Sequence, residues 1–293
     1  MKRFIIIFTL LMIQYDLVAQ QKILLYPDQP NLRIGGSSKI DEPPYLMVFP
    51  SKVEGSKKSI LICPGGGYTA LANKHEGFDI AAFFNEHGYH AFMLMYRLND
   101  GNQTGSRFPA QLDDVTRAMQ IIRSRAAEFN IDTMGTGIIG FSAGGHLASM
   151  GATMFTKGNP SSTNILERQN TRPSFAILVY PVIALNDSFT HKGSRDMLTG
   201  KNSTSAFRDS LSTQNRVTAE TPPTFLIYGN DDKVVPPENG IVFYEALRKY
   251  NIPTTLHIYP HGGHGFGLAP KDPVLNTWPQ LAIAWLDSLN VRR

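Results

Sequence analysis

A β-prone run, Gly137-Ile138-Ile139, leads directly into Gly140-Phe141-Ser142-Ala143-Gly144, and the small, helix-compatible residues Gly145-His146-Leu147-Ala148-Ser149-Met150 follow. A G-x-S-x-G pattern between a strand and a helix predicts a sharp turn that presents the serine hydroxyl. Side chains would crowd such a turn, and the glycines two before and two after Ser142 remove them where strand and helix must approach closely. The helix that begins there points its N-terminus at whatever the serine attacks, so the backbone N–H of Ala143 is a candidate donor to a developing oxyanion. A glycine-rich turn with an incidental serine is the competing reading. The strand before it and the helix after it count against that reading.

An acid and a histidine follow in chain order. Thr224-Phe225-Leu226-Ile227-Tyr228-Gly229 reads as a buried strand that ends in Asn230-Asp231-Asp232-Lys233-Val234-Val235-Pro236. An acid at the carboxyl end of such a strand reaches a site at the top of the sheet. Asp232 is preferred because Val-Val-Pro behind it anchors its loop, whereas Asp231 suits the capping of the turn. Thr255-Leu256-His257-Ile258-Tyr259 is another strand-like run, and Pro260-His261-Gly262-Gly263-His264-Gly265-Phe266-Gly267 follows it. His264, with glycine on both sides, is preferred to His261, which lies nearer the strand end. A histidine so placed deprotonates the serine while the acid fixes its tautomer and stabilises its charge.

Ser59-Ile60-Leu61-Ile62-Cys63 is a short apolar strand that runs into Pro64-Gly65-Gly66-Gly67-Tyr68. Bare amides in such a loop can face an oxyanion, and Gly66 and Gly67 join Ala143 as candidate donors. A phosphate-binding loop is the rival reading, and the lack of a following Gly-Lys-Ser/Thr counts against it.

Together these stretches resemble bacterial esterases of the hormone-sensitive-lipase-like group, and within it the carbohydrate esterases of the acetylxylan type. Tyr96-Arg97-Leu98, Gln111-Leu112-Asp113-Asp114 through Ile121-Ile122-Arg123, and Thr221-Pro222-Pro223-Thr224-Phe225 extend the match, which covers residues 45 to 290. Pro64 stands where the broader group has a histidine, a departure that suits the carbohydrate-esterase subgroup. The resemblance implies an α/β-hydrolase fold and a Ser142–His264–Asp232 triad. It also implies an acylated oligo- or polysaccharide as substrate, with O-acetyl or another small acyl group removed. Feruloyl esterase, lipase-like carboxylesterase and peptidase chemistry remain open on the same fold, as does a non-catalytic binding protein.

Alternation of strands and helices predicts a mostly parallel sheet covered on both faces. Strands are expected at Leu46–Phe49, His90–Tyr96 and Phe175–Val182. Helices are expected at Glu76–Gly88, Pro109–Asn130, Phe243–Tyr250 and Pro279–Leu289. Residues 184–221 are polar and interrupt the alternation, so a small lid or rim over the site is expected there. Tyr68 is a candidate wall of the acyl side, and Glu76, with His75 beside it, a candidate partner for a sugar hydroxyl. His146 is expected to pack on the helix behind the serine, and Asp113 and Asp114 to favour a helix dipole.

The chain has 293 residues, 42% hydrophobic and 18% charged, with a net charge of +4 and a single cysteine. That composition is globular, and the length allows one domain over 21–293 that needs no disulfide or metal staple. No Lys/Arg cluster marks a nucleic-acid groove. Lys2-Arg3, the ten-residue run Phe4–Ile13 and Val18-Ala19 predict a secretory leader over residues 1–20, cleaved after Ala19 or Gln20. The run is too short to span a bilayer, and no cysteine lies near it to carry a lipid, so no stable membrane anchor is expected. Cys63 is expected to be buried and inert. No HExxH or Cys/His cluster calls for a metal, and no cofactor is expected.

Overall fold

The computed structural model describes residues 21–101 and 105–290. The leader expected over 1–20 lies outside the described residues. One sheet of eight strands runs in the order β1-β2-β4-β3-β5-β6-β7-β8. The strands are β1 Gln21–Leu24, β2 Tyr45–Phe49, β3 Lys58–Cys63, β4 Tyr89–Met95, β5 Thr136–Phe141, β6 Ala176–Val179, β7 Thr224–Gly229 and β8 Thr254–Tyr259. Strands β3 to β8 are all parallel. Strand β2 is antiparallel to both of its neighbours, so β1 runs in the same direction as β4. Strands β5, β6 and β7 are buried along their whole length, as a parallel sheet covered on both faces requires. This is the α/β-hydrolase architecture that the resemblance implied.

The helices are α1 Asp79–Glu86, α2 Ala110–Ser124, α3 Ala126–Phe129, α4 Ser142–Thr153, α5 Lys192–Thr199, α6 Ser205–Leu211, α7 Glu238–Lys249 and α8 Trp278–Asn290. The single helix expected over 109–130 is broken at Arg125, and Asn130 ends it at φ 52° in the left-handed region. Ser124 Oγ donates to Ile121 O just before the break, a side-chain bond of the kind that bends helices. The helix expected from Glu76 begins instead as a π-helical turn at Lys74–Phe78, and Gly88 takes φ 84° just beyond its end. At the foot of the sheet Lys58 pairs with Asp287 of α8 at 3.3 Å.

Asp114 does more than meet a helix dipole. It is fully buried and takes a forked pair of bonds from Arg97, with Nη2–Oδ1 at 2.7 Å and Nε–Oδ1 at 2.9 Å, and its Oδ2 accepts from Arg97 N. That fork fixes the chain as it leaves β4.

Residues 184–221 are ordered by two short helices. His191 caps α5 by accepting from Ser194 N, and Thr204 caps α6 by accepting from Phe207 N. Ala184, Leu185, Leu198, Leu211 and Val217 are buried, so the segment rests on the core despite its polar composition.

Candidate active site

Ser142 sits between β5 and α4 at φ 53°, a conformation rare for a residue with a side chain. The flanking glycines permit the turn. A Cβ on Gly140 would lie 2.2 Å from Gly144 O, and one on Gly144 would lie 2.2 Å from Cys63 O. The serine hydroxyl is accordingly held at the carboxyl end of the central strands, and the residue is only 6% exposed.

Three side chains form one chain of hydrogen bonds. His264 Nε2 lies 2.8 Å from Ser142 Oγ, and His264 Nδ1 lies 2.7 Å from Asp232 Oδ2. The other oxygen of Asp232 accepts from Val234 N and Val235 N, both at 2.9 Å, so the loop after β7 fixes the carboxylate rotamer. The side chain of Asp232 is fully buried and that of His264 is 18% exposed. The neighbouring candidates separate from them. Asp231 accepts from Gly263 N at 2.8 Å, which holds its carboxyl below the usual range, and faces His261 at 3.7 Å. His261 is 85% exposed. Asp231 thus shapes the loop that carries His264 and does not reach the serine.

The glycine loop crosses directly over this turn. A Cβ on Gly65 would lie 2.7 Å from Phe141 O and 3.0 Å from Ser142 Cβ. Gly66 and Gly67 have φ 127° and 66°, and Gly66 O accepts from Thr69 N and Ala70 N. Among the described residues the N–H groups of Gly66 and Gly67 have no protein acceptor. Ala143 N belongs to the first turn of α4, where amides have no intrahelical acceptor. All three are available to a ligand oxygen.

Tyr68 and Glu76 both turn inward. Tyr68 is fully buried, and its hydroxyl donates to His146 Nδ1 at 2.8 Å. The chain turns left-handed at Tyr68, φ 62°, and the ring packs edge-on to Tyr96 beneath the loop, which argues against the acyl wall expected from the sequence. Glu76 is 3% exposed, and its two oxygens accept from Gly65 N at 2.8 Å and Tyr180 Oη at 2.9 Å. Its burial, with both oxygens already bonded inside the protein, argues against the contact with a sugar hydroxyl expected from the sequence. His75 beside it is half-exposed. Cys63 is fully buried, and burial pushes its thiol up.

His146 packs behind the serine and also donates from Nε2 to Leu211 O at 2.9 Å, which ties α4 to the end of α6. Burial lowers it to about 4 from an ordinary 6.5. The folded protein therefore resists a proton that the unfolded chain accepts, and stability is lost as pH falls from about 6.5 to about 4. The gap corresponds to about 3 kcal/mol. Urea denaturation across that window is expected to show a pH dependence smaller by about this amount in His146→Gln than in the parent protein. Identical pH dependence in the two would refute the assignment.

Two residues near the site carried no sequence signal. Tyr180, just after β6 at φ 38°, places its ring 4.9 Å from that of His264. His191 is a lone histidine in a polar stretch. Burial lowers its affinity for a proton, and the positive charge of a protonated His264 lowers it further, so the two imidazoles lie within electrostatic reach. Among the described residues no group of three or more His, Cys, Asp or Glu could hold a metal ion.

The BD-FAE family model matches residues 47–247. An acetylxylan esterase of Xylanibacter ruminicola is 38% identical over 219 residues, covering 72% of this chain and 42% of that protein. Endo-1,4-beta-xylanase B of Butyrivibrio fibrisolvens is 34% identical over 238 residues, covering 80% of this chain and 36% of that protein. The chain thus spans less than half the length of these two relatives. The crystal structure of an acetyl ester-xyloside bifunctional hydrolase from Caldicellulosiruptor lactoaceticus superposes with a TM-score of 0.85 at 37% identity. That match covers 92% of this chain and 97% of that one.

Proposed function

The chain belongs to the BD-FAE family, and from that membership we propose that it is a serine carboxylesterase that removes acetyl groups from carbohydrate. The observation that carries the reading is the continuous Ser142–His264–Asp232 hydrogen-bond chain, at 2.8 and 2.7 Å, beneath a loop with two unengaged amides. In this mechanism Ser142 Oγ attacks the ester carbonyl as its proton passes to His264 Nε2. Asp232 holds the opposite nitrogen and stabilises the imidazolium. The carbonyl oxygen gathers charge against the N–H groups of Gly66, Gly67 and Ala143. Collapse of the tetrahedral species expels the sugar alkoxide, which takes the proton from His264. Water then enters by the same relay, releasing acetate and restoring Ser142.

Several features support a carbohydrate as the leaving side. The relatives named above act, by their names, on xylan-type substrates. A polar hollow of about 570 Å³ lined by Asn99, Arg107, Thr199, Lys201, Asn202 and Ser203 lies against α5. Asn99 N donates to Tyr68 O at 2.8 Å, which joins that hollow to the glycine loop. Residues 196–203 form its far wall, in keeping with the polar surface expected of the 184–221 rim. In this reading residues 1–20 export the enzyme to where acetylated polymers are met, and 21–293 make one catalytic domain.

The scant exposure of Ser142 favours a small acyl group. Across p-nitrophenyl esters from acetate to decanoate, kcat/KM is expected to be highest for acetate and to fall with chain length, and acetylated xylo-oligosaccharides are expected to release acetate. A rise in kcat/KM along the series would refute the acetylesterase reading and favour a lipase-like one. Preference for feruloylated over acetylated oligosaccharides would replace it with a feruloyl esterase.

A further inference from the structure

We propose that Glu76 is a positioning residue that joins the glycine loop to the histidine loop and holds both in register with Ser142. The inference rests on the reading of Ser142 and His264 as the reacting pair, and goes beyond it. One oxygen of Glu76 accepts from Gly65 N, and Gly65 lies against Ser142. The other accepts from Tyr180 Oη. The same Tyr180 oxygen accepts from Gly267 N at 3.0 Å, three residues past His264, and Gly267 O accepts from Trp278 Nε1 at 3.0 Å. Tyr180 thus stands between the carboxylate and the histidine loop, with its ring against both His264 and Phe266 at 4.9 and 4.5 Å.

A carboxyl group this deeply buried is costly unless it is satisfied. Among the described residues Glu76 pairs with no Lys or Arg, as an ordinary structural ion pair would; its ionic neighbour is the half-exposed His75 at 3.6 Å. Burial raises its affinity for a proton, while Tyr180, Gly65, His75 and His264 favour the anion, in that order. The titratable groups facing it are His75, His264, Tyr180 and Tyr96. Those around His264 are Asp232, His191, Tyr180 and Glu76. An anion held there favours the imidazolium that forms during the reaction, in concert with Asp232. The two hydrogen bonds set the distance between the oxyanion donors and the base. Small misplacements of such groups cost up to ~100-fold in rate.

The test compares the parent protein with Glu76→Gln and Tyr180→Phe on p-nitrophenyl acetate, with kcat counted per site by titration with a fluorophosphonate. Glu76→Gln is expected to lower kcat about 10- to 100-fold with KM little changed. It is also expected to move the acidic limb of the kcat/KM profile to lower pH, because a neighbouring anion that favours the protonated imidazole is gone. Tyr180→Phe removes the bonds from Tyr180 to Glu76 and Gly267 but leaves the Gly65–Glu76 bond and the charge, so kcat falls while the limb stays. Unchanged kcat in Glu76→Gln, an effect confined to KM, or an unmoved limb would each overturn the proposal. If Glu76→Gln does not fold, Tyr180→Phe decides, and unchanged kcat in that variant overturns it. A parent protein that neither hydrolyses the ester nor takes the fluorophosphonate would instead sink the esterase reading itself.

Discussion

Ser142→Ala is expected to lower turnover of p-nitrophenyl acetate by about 10⁴-fold or more while the protein stays folded. The substitution deletes one oxygen that bonds only to His264 Nε2 and leaves the strained backbone as it was, since alanine and serine meet φ 53° with equal difficulty. Neither the contact between β5 and the glycine loop nor the packing of α4 depends on the hydroxyl. Circular dichroism and the thermal midpoint are therefore expected to match the parent while the ester assay does not. A folded variant with near-normal turnover would remove Ser142 from the mechanism and leave the fold untouched.

The second large effect separates neighbours in the chain. His264→Ala is expected to be as inactive as Ser142→Ala, whereas His261→Ala should stay within about twofold of the parent. His264 touches both Ser142 and Asp232, while His261 is exposed and faces Asp231 at 3.7 Å. For the acids, Asp232→Asn is expected to cost about 10⁴-fold in kcat, because an amide no longer enforces the right imidazole tautomer. Asp231→Asn loosens only the bond to Gly263 N and should cost far less. The double variant Ser142→Ala/His264→Ala should be scarcely worse than either single one, since the groups act as a unit. Inactive His261→Ala beside active His264→Ala would reverse the assignment.

Backbone necessity made much of this site legible in the sequence. Gly140 and Gly144 are demanded by contacts of 2.2 Å, and such demands leave a fixed spacing that can be read without coordinates. Asp232 was preferred to Asp231 for the Val-Val-Pro behind it, and Val234 N and Val235 N do hold its carboxylate. Side-chain direction was not legible. Tyr68 and Glu76 lie at the expected distance from the loop, but a left-handed turn at one and a π-helical turn at the other send both inward. Tyr180 stands 104 residues from Glu76, a meeting set by the strand order and by no local pattern. The short helices in 184–221 were hidden because polar residues cap them and only scattered ones, such as Leu198 and Leu211, reach the core. Asp114 looked like any acid in a first helical turn because its partner, Arg97, lies 17 residues away on another element.

The ionic clasp between Lys58 and Asp287 has a practical corollary. Helix α8 descends to the foot of β3, and β1 enters the sheet travelling in the same direction as β4, so both described ends of the chain lie away from the face where Ser142 opens. A fusion partner, an affinity tag or a solid support attached at either end would leave the reactive face turned outward. Such an immobilised form should still hydrolyse p-nitrophenyl acetate, because nothing at the foot of the sheet stands over Ser142.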